Sequence, residues 1–222
     1  MPLESLAQSV QSAQLSQSAH LSHSVAIIIP IKAFHHAKER LSDLLTPTER
    51  FVLARFCAQR VISAATGHQV FVVCDDQEVA DWARSHNAKV VWQPEVGLNP
   101  AVRAGVDAAR ARGHDLAIVA HSDLPLATGF SHLISDCNSA TLQGSITLVP
   151  DRHEDGTNVL VVPTKSTFEF CYGRNSFFAH QKQALICGLA VRVVHDPRLA
   201  VDIDTAEDLA LAQQLDEHRL IN

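Results

Sequence analysis

The chain has 222 residues, of which 46% are hydrophobic, and a formal net charge of -6. This length and apolar content suit one α/β domain, and no break in composition indicates a second. The acidic balance argues against a nucleic-acid partner, because phosphate neutralisation requires clustered lysine and arginine.

Residues 1–24 differ in composition from the rest of the chain. They are rich in serine, glutamine and alanine, with one acidic residue, no lysine or arginine and no long apolar run. A signal peptide and a membrane span both require such a run, so the segment fits neither. We predict a low-complexity N-terminal tail over residues 1–24, one folded domain over residues 25–222, a cytoplasmic location and no membrane partner.

The cysteines and histidines give no metal signature. The cysteines form no C-x-x-C pair and mostly fall in predicted helices or strands, so we interpret them as reduced core residues. They are Cys57, Cys74, Cys137, Cys171 and Cys187. The thirteen histidines lack the i,i+4 spacing that places two zinc ligands on one helix face, so we expect no histidine zinc site.

Seven β-rich runs follow the tail. Such runs, apolar almost throughout, are typical of strands buried on both faces of a sheet. In chain order they are VAIIIPI (25–31), QVFVVCD (69–75), AKVVWQ (88–93), LAIVAHS (116–122), SITLVP (145–150), NVLVVP (158–163) and VRVVHD (191–196).

Helical patterns separate these runs. The first has Thr46 as N-cap, Pro47 at the first helical position and Glu49 completing a capping box. The later signals are weaker or shorter: a cap at Asp75 or Asp76, a helix from Asn99 and Pro100 to Gly113, and helices over 128–140 and 176–187. The alternation predicts a mainly parallel sheet with helices on both faces and ligands at the carboxyl ends of the strands.

Two aspartates near the C-terminal end of the chain flank one apolar residue. In an extended segment Asp202 and Asp204 point to the same side, while Ile203 points into the core. Two close carboxylates repel each other unless a cation or a shared proton compensates, and Mg²⁺ fits oxygen ligands. The alternative is that both are turn and cap residues, although Thr205 and Asp208 already form a capping box for the next helix.

A third aspartate strengthens the metal interpretation. Asp123 follows the strand LAIVAHS and precedes Pro125, at the edge of the sheet where this fold binds ligands. Asp123, Asp202 and Asp204 are therefore the predicted Mg²⁺ ligands. The pattern differs from the aspartate-nucleophile phosphatases, whose aspartate pair follows the first strand of the domain.

The segment after the first strand contains Lys32, Lys38 and Arg40 but no glycine. It is therefore neither a Walker loop nor a dinucleotide fingerprint, since both need glycine for close backbone approach. The basic side chains would supply the positive charge for a polyphosphate. A solvated basic surface is the alternative.

Two further segments are candidates for binding an anion. DRHEDGTN has Gly156 at a strand entry, and YGRNSFFAH surrounds a helix start, where free N–H groups suit a phosphate or a carboxylate. Ordinary turn and cap roles are the alternative for both. The candidate residues are Thr157, Asn158, Gly173, Ser176 and His180.

Taken together, six motifs resemble the CofC/FbiD guanylyltransferases of coenzyme F-420 biosynthesis in order and spacing. They are PIKAFHHAKERL, GLNPAV, SDLP, PDRHEDGTN, YGRNSFFAH and VDIDTAEDL, and the resemblance extends from Val25 to Leu215. It implies a single-domain, Rossmann-like nucleotidyltransferase of the glycosyltransferase-A-like type, a three-layer α/β sandwich. It also implies transfer of GMP from GTP to 2-phospho-L-lactate, phosphoenolpyruvate or 3-phospho-D-glycerate, with release of diphosphate.

The resemblance also implies roles for individual residues. The metal ligands fall on Asp123, Asp202 and Asp204, which together with Lys38 are the expected catalytic residues. Substrate-binding residues fall on Thr157, Gly173 and Ser176, to which we add Asn158 and His180, and nucleotide-binding residues on Lys32, Lys38, Arg40 and Asn99. The chain departs from the family's usual pattern at His121 and Ser122, just before Asp123, and at Arg174, and we expect both departures to alter the pocket for the acid.

The expected chemistry is consistent with the absence of a recognisable nucleophile and base. A substrate phosphate is already a competent nucleophile near neutral pH, because its second pKa is about 6. Alignment and charge neutralisation by Mg²⁺ and basic side chains are then sufficient.

The expected partners are GTP, a small phosphorylated carboxylic acid and the downstream transferase that takes the product. The alternatives are a sugar-phosphate nucleotidyltransferase or glycosyltransferase of the same fold and a non-catalytic nucleotide-binding protein.

Overall fold

The structure, a computed structural model, describes residues 24–135 and 139–216, without the side chains of residues 139 and 140. These residues form a mixed α/β domain, as predicted. Its strands are β1 (Val25–Pro30), β2 (Gln69–Cys74), β3 (Lys89–Trp92), β4 (Leu116–Ala120), β5 (Ser145–Pro150), β6 (Thr157–Pro163) and β7 (Ala190–Val193). Its helices are α1 (Pro47–Ala64), α2 (Gln77–Ser85), α3 (Leu98–Ala111), α4 (Ser139–Gln143), α5 (Ser176–Ile186) and α6 (Ala206–Leu215), with 3-10 turns at Phe34–His36, Glu39–Leu41 and Ser131–Leu133.

The seven strands form one sheet in the order β3-β2-β1-β4-β6-β5-β7. All neighbouring strands are parallel except for β6, which runs antiparallel to both β4 and β5. The chain leaves β1 toward β2 on one side, and β4 lies on the other side, so a crevice is expected at the carboxyl ends of β1 and β4. Because β6 is antiparallel, its first residues lie at this same edge.

Helices cover both faces of the sheet, as the alternating pattern predicts. One apolar layer joins α1 and α2 to the sheet and includes Ile27, Val61 and Val79. The opposite layer joins α3 and α5 to the sheet and includes Ile28 and Val106. Since alternate residues of β1 enter opposite layers, this strand is apolar along its whole length.

The predicted start of α1 is confirmed. The Thr46 hydroxyl accepts a hydrogen bond from the Glu49 N–H, and the Glu49 carboxylate accepts one from the Thr46 N–H at 2.8 Å. Asp76, one of the two residues predicted to cap α2, accepts from the Val79 N–H. The helix predicted from Asn99 begins one residue earlier, at Leu98, and ends before Gly113, whose φ is 82°.

The prediction of one helix over 128–140 is wrong for its first part. Residues 128–130 are not helical, and a 3-10 turn over Ser131–Leu133 follows. Phe130 and Leu133 are both buried, and their spacing of three residues matches the 3-10 repeat. The second part contains α4, which begins at Ser139, while Cys137 and most of the predicted tail lie outside the described residues.

Gly105 allows α3 to lie close against the sheet. A Cβ atom at this position would lie 2.8 Å from Cγ2 of Val73 and would also overlap Ile28. This close approach sets the height of α3 above β1 and β2. Within the described part of the chain, no helix has the length and apolar character to cross a membrane.

Candidate active site

Three aspartates and one lysine meet at the carboxyl ends of β1 and β4. Lys38 comes from the segment after β1, and Asp123 from the turn after β4. The segment before α6 is held beside this turn because the Ile203 N–H donates to the Asp123 carbonyl at 3.2 Å. Asp202 and Asp204, on either side of the fully buried Ile203, complete the group.

The carboxylates lie close enough to share one cation. One oxygen from each of Asp123, Asp202 and Asp204 lies within 4.8 Å of the other two. One further feature also suits a cation: Oδ1 of Asp123 is buried and makes no hydrogen bond to any residue that the structure describes. The spatial grouping predicted from the sequence is therefore present.

Lys38 is buried beside these carboxylates, with only 6% of its side chain exposed. Its Nζ donates to Oδ2 of Asp123 at 2.9 Å and to the Ile203 carbonyl, and it lies 3.6 Å from Oδ1 of Asp204. The Lys38 backbone has a φ of 61°, a left-handed conformation uncommon for lysine. Burial lowers the pKa of Lys38, but the charge of Asp123 and the hydrogen bond to it have a larger effect in the other direction. The pKa is therefore raised above its ordinary value, and the ammonium stays protonated.

Asp123 and Asp202 respond differently to the same surroundings. Burial raises the pKa of Asp123, but the charge of Lys38, the nearby His121 and the hydrogen bond from Lys38 together outweigh burial and hold this pKa below its ordinary value. Asp202 makes no ion pair with Lys38, so burial and the Asp123 charge raise its pKa to about 6. The Asn158 amide donates to Asp202 Oδ1 at 3.2 Å and opposes this increase.

The cap of α6 is separate from the cluster. The Asp208 carboxylate accepts from the Thr205 N–H at 2.8 Å, and the Thr205 hydroxyl accepts from the Asp208 N–H at 3.3 Å. Arg152 adds a pair of contacts to Asp208 at 2.9 and 3.0 Å. Capping is thus performed by Thr205 and Asp208, which leaves the carboxylates of Asp202 and Asp204 available to the site.

A pocket of about 550 Å³ extends from the cluster across the ends of β1, β2 and β3. Lys38, Asp123 and Asp204 line one end, and Gln93 and Glu95 belong to the other. Its size is within the range of small-molecule and cofactor sites.

Two of the other predicted nucleotide-binding residues also face this region. Lys32 lines the pocket, and Arg40 pairs with Oδ2 of Asp204 at 3.2 Å while 76% of its side chain stays exposed. Asn99 does not line the pocket. Its amide bonds the backbone of Tyr172: Oδ1 accepts from the Tyr172 N–H at 2.7 Å, and Nδ2 donates to the Tyr172 carbonyl at 3.2 Å.

The predicted substrate-binding residues form a second group. Thr157, Asn158, Ser176 and His180 are all buried. Nε2 of His180 accepts from the Cys171 N–H, so Nδ1 carries the proton and donates to the Thr157 hydroxyl, each at 3.0 Å. Burial and the nearby His121 lower the pKa of His180 to about 4, so this ring is neutral at pH 7.

Gly156 and Gly173 are glycines for different reasons. A side chain at Gly156 would meet a neighbouring residue, whereas the backbone conformation at Gly173 favours glycine. Asp151 accepts hydrogen bonds from the N–H groups of His153, Asp155 and Gly156 at 2.8 to 3.0 Å. A Cβ atom at Gly156 would lie 2.8 Å from Oδ2 of Asp151. Gly173 has a φ of 134°, in a region that other residues rarely adopt. Arg174, next to it, is exposed.

Sequence reasoning missed several residues that organise the site. Asp151, Arg152 and Tyr172 were all parts of motifs but had no assigned role. Long-range contacts give these residues their roles, since the Arg152 N–H bonds to the Ala200 carbonyl at 2.9 Å and the Tyr172 ring lies against His121 at 5.4 Å. An aspartate directly after a strand and ahead of a turn with glycine was the one signal that the sequence offered for Asp151, because aspartate side chains accept from nearby backbone N–H groups in turns.

A family profile described as "Guanylyl transferase CofC like" matches residues 25–213. The chain belongs to this family. Among its relatives, the phosphoenolpyruvate guanylyltransferase of Sphaerobacter thermophilus is 36% identical over 82% of this chain and 89% of its own length. The 2-phospho-L-lactate guanylyltransferase of Methanothermobacter thermautotrophicus is 33% identical over 82% of this chain and 81% of its own.

The fold of this CofC-like chain also occurs among solved structures. A structure described as a nucleotide-diphospho-sugar transferase from Desulfovibrio desulfuricans G20 superposes with a TM-score of 0.69 over 88% of this chain and 89% of that one. The two sequences are 14% identical, so this likeness concerns the fold alone. The expected family and the Rossmann-like nucleotidyltransferase architecture are thus confirmed.

Proposed function

We propose that this protein transfers GMP from GTP to the phosphate of a three-carbon phospho-acid in coenzyme F-420 biosynthesis. A phosphate oxygen of the acid attacks the α-phosphorus of GTP, the bond between this phosphorus and the α,β-bridging oxygen breaks, and diphosphate leaves. The product contains a new phosphate–phosphate anhydride, which a downstream transferase would consume. Phosphoenolpyruvate, 2-phospho-L-lactate and 3-phospho-D-glycerate are the candidate acids.

The main support for this proposal is the cluster of Lys38 with Asp123, Asp202 and Asp204 at one end of a pocket large enough for a nucleotide. A triphosphate and a phospho-acid are both anionic, so bringing them together requires concentrated positive charge. Acidic residues alone would repel both substrates. The combination therefore supports a site that holds a cation together with a fixed ammonium group.

Mg²⁺ fits the donor set of this site. The three carboxylates supply oxygen ligands, the buried Oδ1 of Asp123 has no partner among described residues, and Asp202 is destabilised as an anion. We propose Asp123, Asp202 and Asp204 as its ligands. The ion would neutralise charge on the reacting phosphates and activate the α-phosphorus toward attack.

The protein's own basic groups have distinct proposed roles. Lys38 is fixed by Asp123 and the Ile203 carbonyl, so its ammonium is positioned before substrate arrives and stabilises negative charge that develops during transfer. Lys32 and Arg40 are exposed, which suits capture of the β- and γ-phosphates. No side chain needs to act as base, because the acceptor phosphate is already ionised near pH 7.

The second group is the proposed site for the acid. Thr157 and Asn158 begin β6 at the edge where β4 ends, and the Asn158 carbonyl accepts from the His121 N–H at 3.0 Å. Ser176 is buried at the start of α5, where the helix dipole favours an anion, and its own N–H is bonded to the Gly173 carbonyl at 3.2 Å. These contacts support an acid site beside the carboxylate cluster.

The test is diphosphate release by purified protein with GTP, MgCl₂ and each candidate acid in turn. We expect release with at least one acid, and a product with two coupled phosphorus resonances in ³¹P NMR. Asp202→Asn should abolish release, whereas Asp107→Asn, the same change beside Arg110 on the surface of α3, should not. No release with any of the three acids would refute the proposed activity.

A further inference from the structure

Two neighbouring rings beside the candidate site contain buried polar atoms without partners. Nε2 of His121 and the hydroxyl of Tyr172 lie inside the protein, and neither makes a hydrogen bond to any described residue. The ring centroids are 5.4 Å apart, and the rings are inclined by 43°. Buried polar groups are almost always paired, because an unpaired one loses its bonds to water without replacement. A bound ligand would supply the missing partner.

The two rings lie where the two halves of the site meet. His121 lines the nucleotide pocket two residues before Asp123. On its other side Tyr172 packs edge-on against His180, with centroids 4.7 Å apart, and His180 binds Thr157. A group held between His121 and Tyr172 would therefore contact the proposed acid site and remain close to the carboxylate cluster.

Tyr172 is held in place and protonated. Both backbone groups of Tyr172 are bonded to the side chain of Asn99, so the segment that carries the ring is tied to α3. Burial raises the pKa of the Tyr172 hydroxyl, which keeps it a hydrogen-bond donor. His180 is not available for the same purpose, because both of its ring nitrogens are already bonded.

We propose that His121 and Tyr172 determine which acid is accepted. Both would donate a hydrogen bond to an oxygen of the acid that does not belong to its reacting phosphate. This inference rests on the proposed function and gives Tyr172, the first residue of the motif YGRNSFFAH, a role that the motif alone did not indicate. The oxygen belongs to the carboxylate or, where the acid carries one, to a hydroxyl group. Holding this end of the acid near Tyr172 leaves the phosphate end free to approach Asp123.

The test combines kinetics with the stability of the ligand-free protein. Tyr172→Phe removes only the hydroxyl, so we expect the KM for the acid to rise about 10-fold or more while the KM for GTP stays within about twofold. Because the hydroxyl is unpaired, the melting temperature of the ligand-free variant should stay the same or rise. A hydroxyl that served only the fold would give the opposite result: a lower melting temperature and unchanged kinetics.

Variants of His121 provide a second, independent comparison. His121→Leu should raise the KM for the acid, and His121→Gln should restore part of the binding, because the glutamine Nε2 can occupy a position similar to that of the imidazole Nε2. His132→Leu is the control, since this histidine is half-exposed and pairs with Asp196 away from the pocket. Its kinetics should match those of the wild type.

Comparing the three acids shows whether the bonded oxygen belongs to the carboxylate or to the hydroxyl group. An equal loss with phosphoenolpyruvate, 2-phospho-L-lactate and 3-phospho-D-glycerate identifies the carboxylate, and a loss confined to 3-phospho-D-glycerate identifies its hydroxyl. Unchanged acid KM values in both Tyr172→Phe and His121→Leu would overturn the inference while leaving the proposed function intact. Absence of turnover in the wild type would instead refute the function.

Discussion

Replacing Asp202 with asparagine should stabilise the metal-free protein while abolishing its activity. The substitution keeps the shape of the side chain and an oxygen that can accept from Asn158, but it removes one charge from the cluster. Burial and Asp123 raise the pKa of Asp202 from 3.8 to about 6. At about 1.4 kcal/mol per pKa unit, the ionised Asp202 lowers the free energy of unfolding by about 3 kcal/mol.

The sign of the pH dependence follows from this increase. Between pH 4 and 6 the folded protein binds a proton at Asp202 that the unfolded chain releases, so the stabilising contribution is present below about pH 4 and is lost as the pH rises through 6. In the wild type, this contribution makes the free energy of unfolding fall over that range. In Asp202→Asn this fall is absent, because the asparagine side chain stays neutral over the whole range. The variant should match the wild type near pH 4 and exceed its stability by up to about 3 kcal/mol at pH 8.

The measurement is urea unfolding in EDTA from pH 4 to 8, with Asp107→Asn as the control for a surface carboxylate. Adding MgCl₂ at pH 8 should remove most of this difference, because an ion bound at 100 times its Kd stabilises the folded wild type by about 2.7 kcal/mol and the variant binds it less tightly. An Asp202→Asn variant that is less stable than the wild type in EDTA at pH 8 would show that Asp202 contributes favourable contacts rather than repulsion.

Three further substitutions test separate parts of the argument. Lys38→Met should lower diphosphate release by about 100-fold or more, because it removes a preorganised charge. It should also lower the melting temperature in EDTA, since Asp123 loses its ion pair; an unchanged rate would exclude a catalytic role. Thr205→Ala should lower the free energy of unfolding by about 1 kcal/mol through loss of the α6 cap, as urea unfolding can verify, and equal stability would count against the cap. Gly105→Ala should destabilise the protein by about 1–3 kcal/mol despite the better helix propensity of alanine, because its methyl group meets the sheet, whereas Gly129→Ala, where the space is open, should be neutral by the same measurement.

Local patterns in the sequence were sufficient for most elements. Thr46, Pro47 and Glu49 specify the start of α1 through bonds among adjacent residues, and the continuous apolar runs specify strands buried on two faces. The helix predicted over 128–140 failed in its first part, where residues 128–130 are not helical and a 3-10 turn follows. The grouping of the three aspartates was predictable because the carboxyl ends of parallel strands share one edge.

The sequence by itself determined the fold class, the family and the identity of the charged residues at the site. Tertiary structure alone decided that Lys38 is buried against Asp123 rather than solvated, and that Asp202, without its own cation, is destabilised as an anion. It also brought His121 against Tyr172, 51 positions further along the chain, and left the polar atoms of both without partners among described residues. Burial and charge–charge distances set these properties, and both depend on residues distant in sequence that only the folded chain brings together.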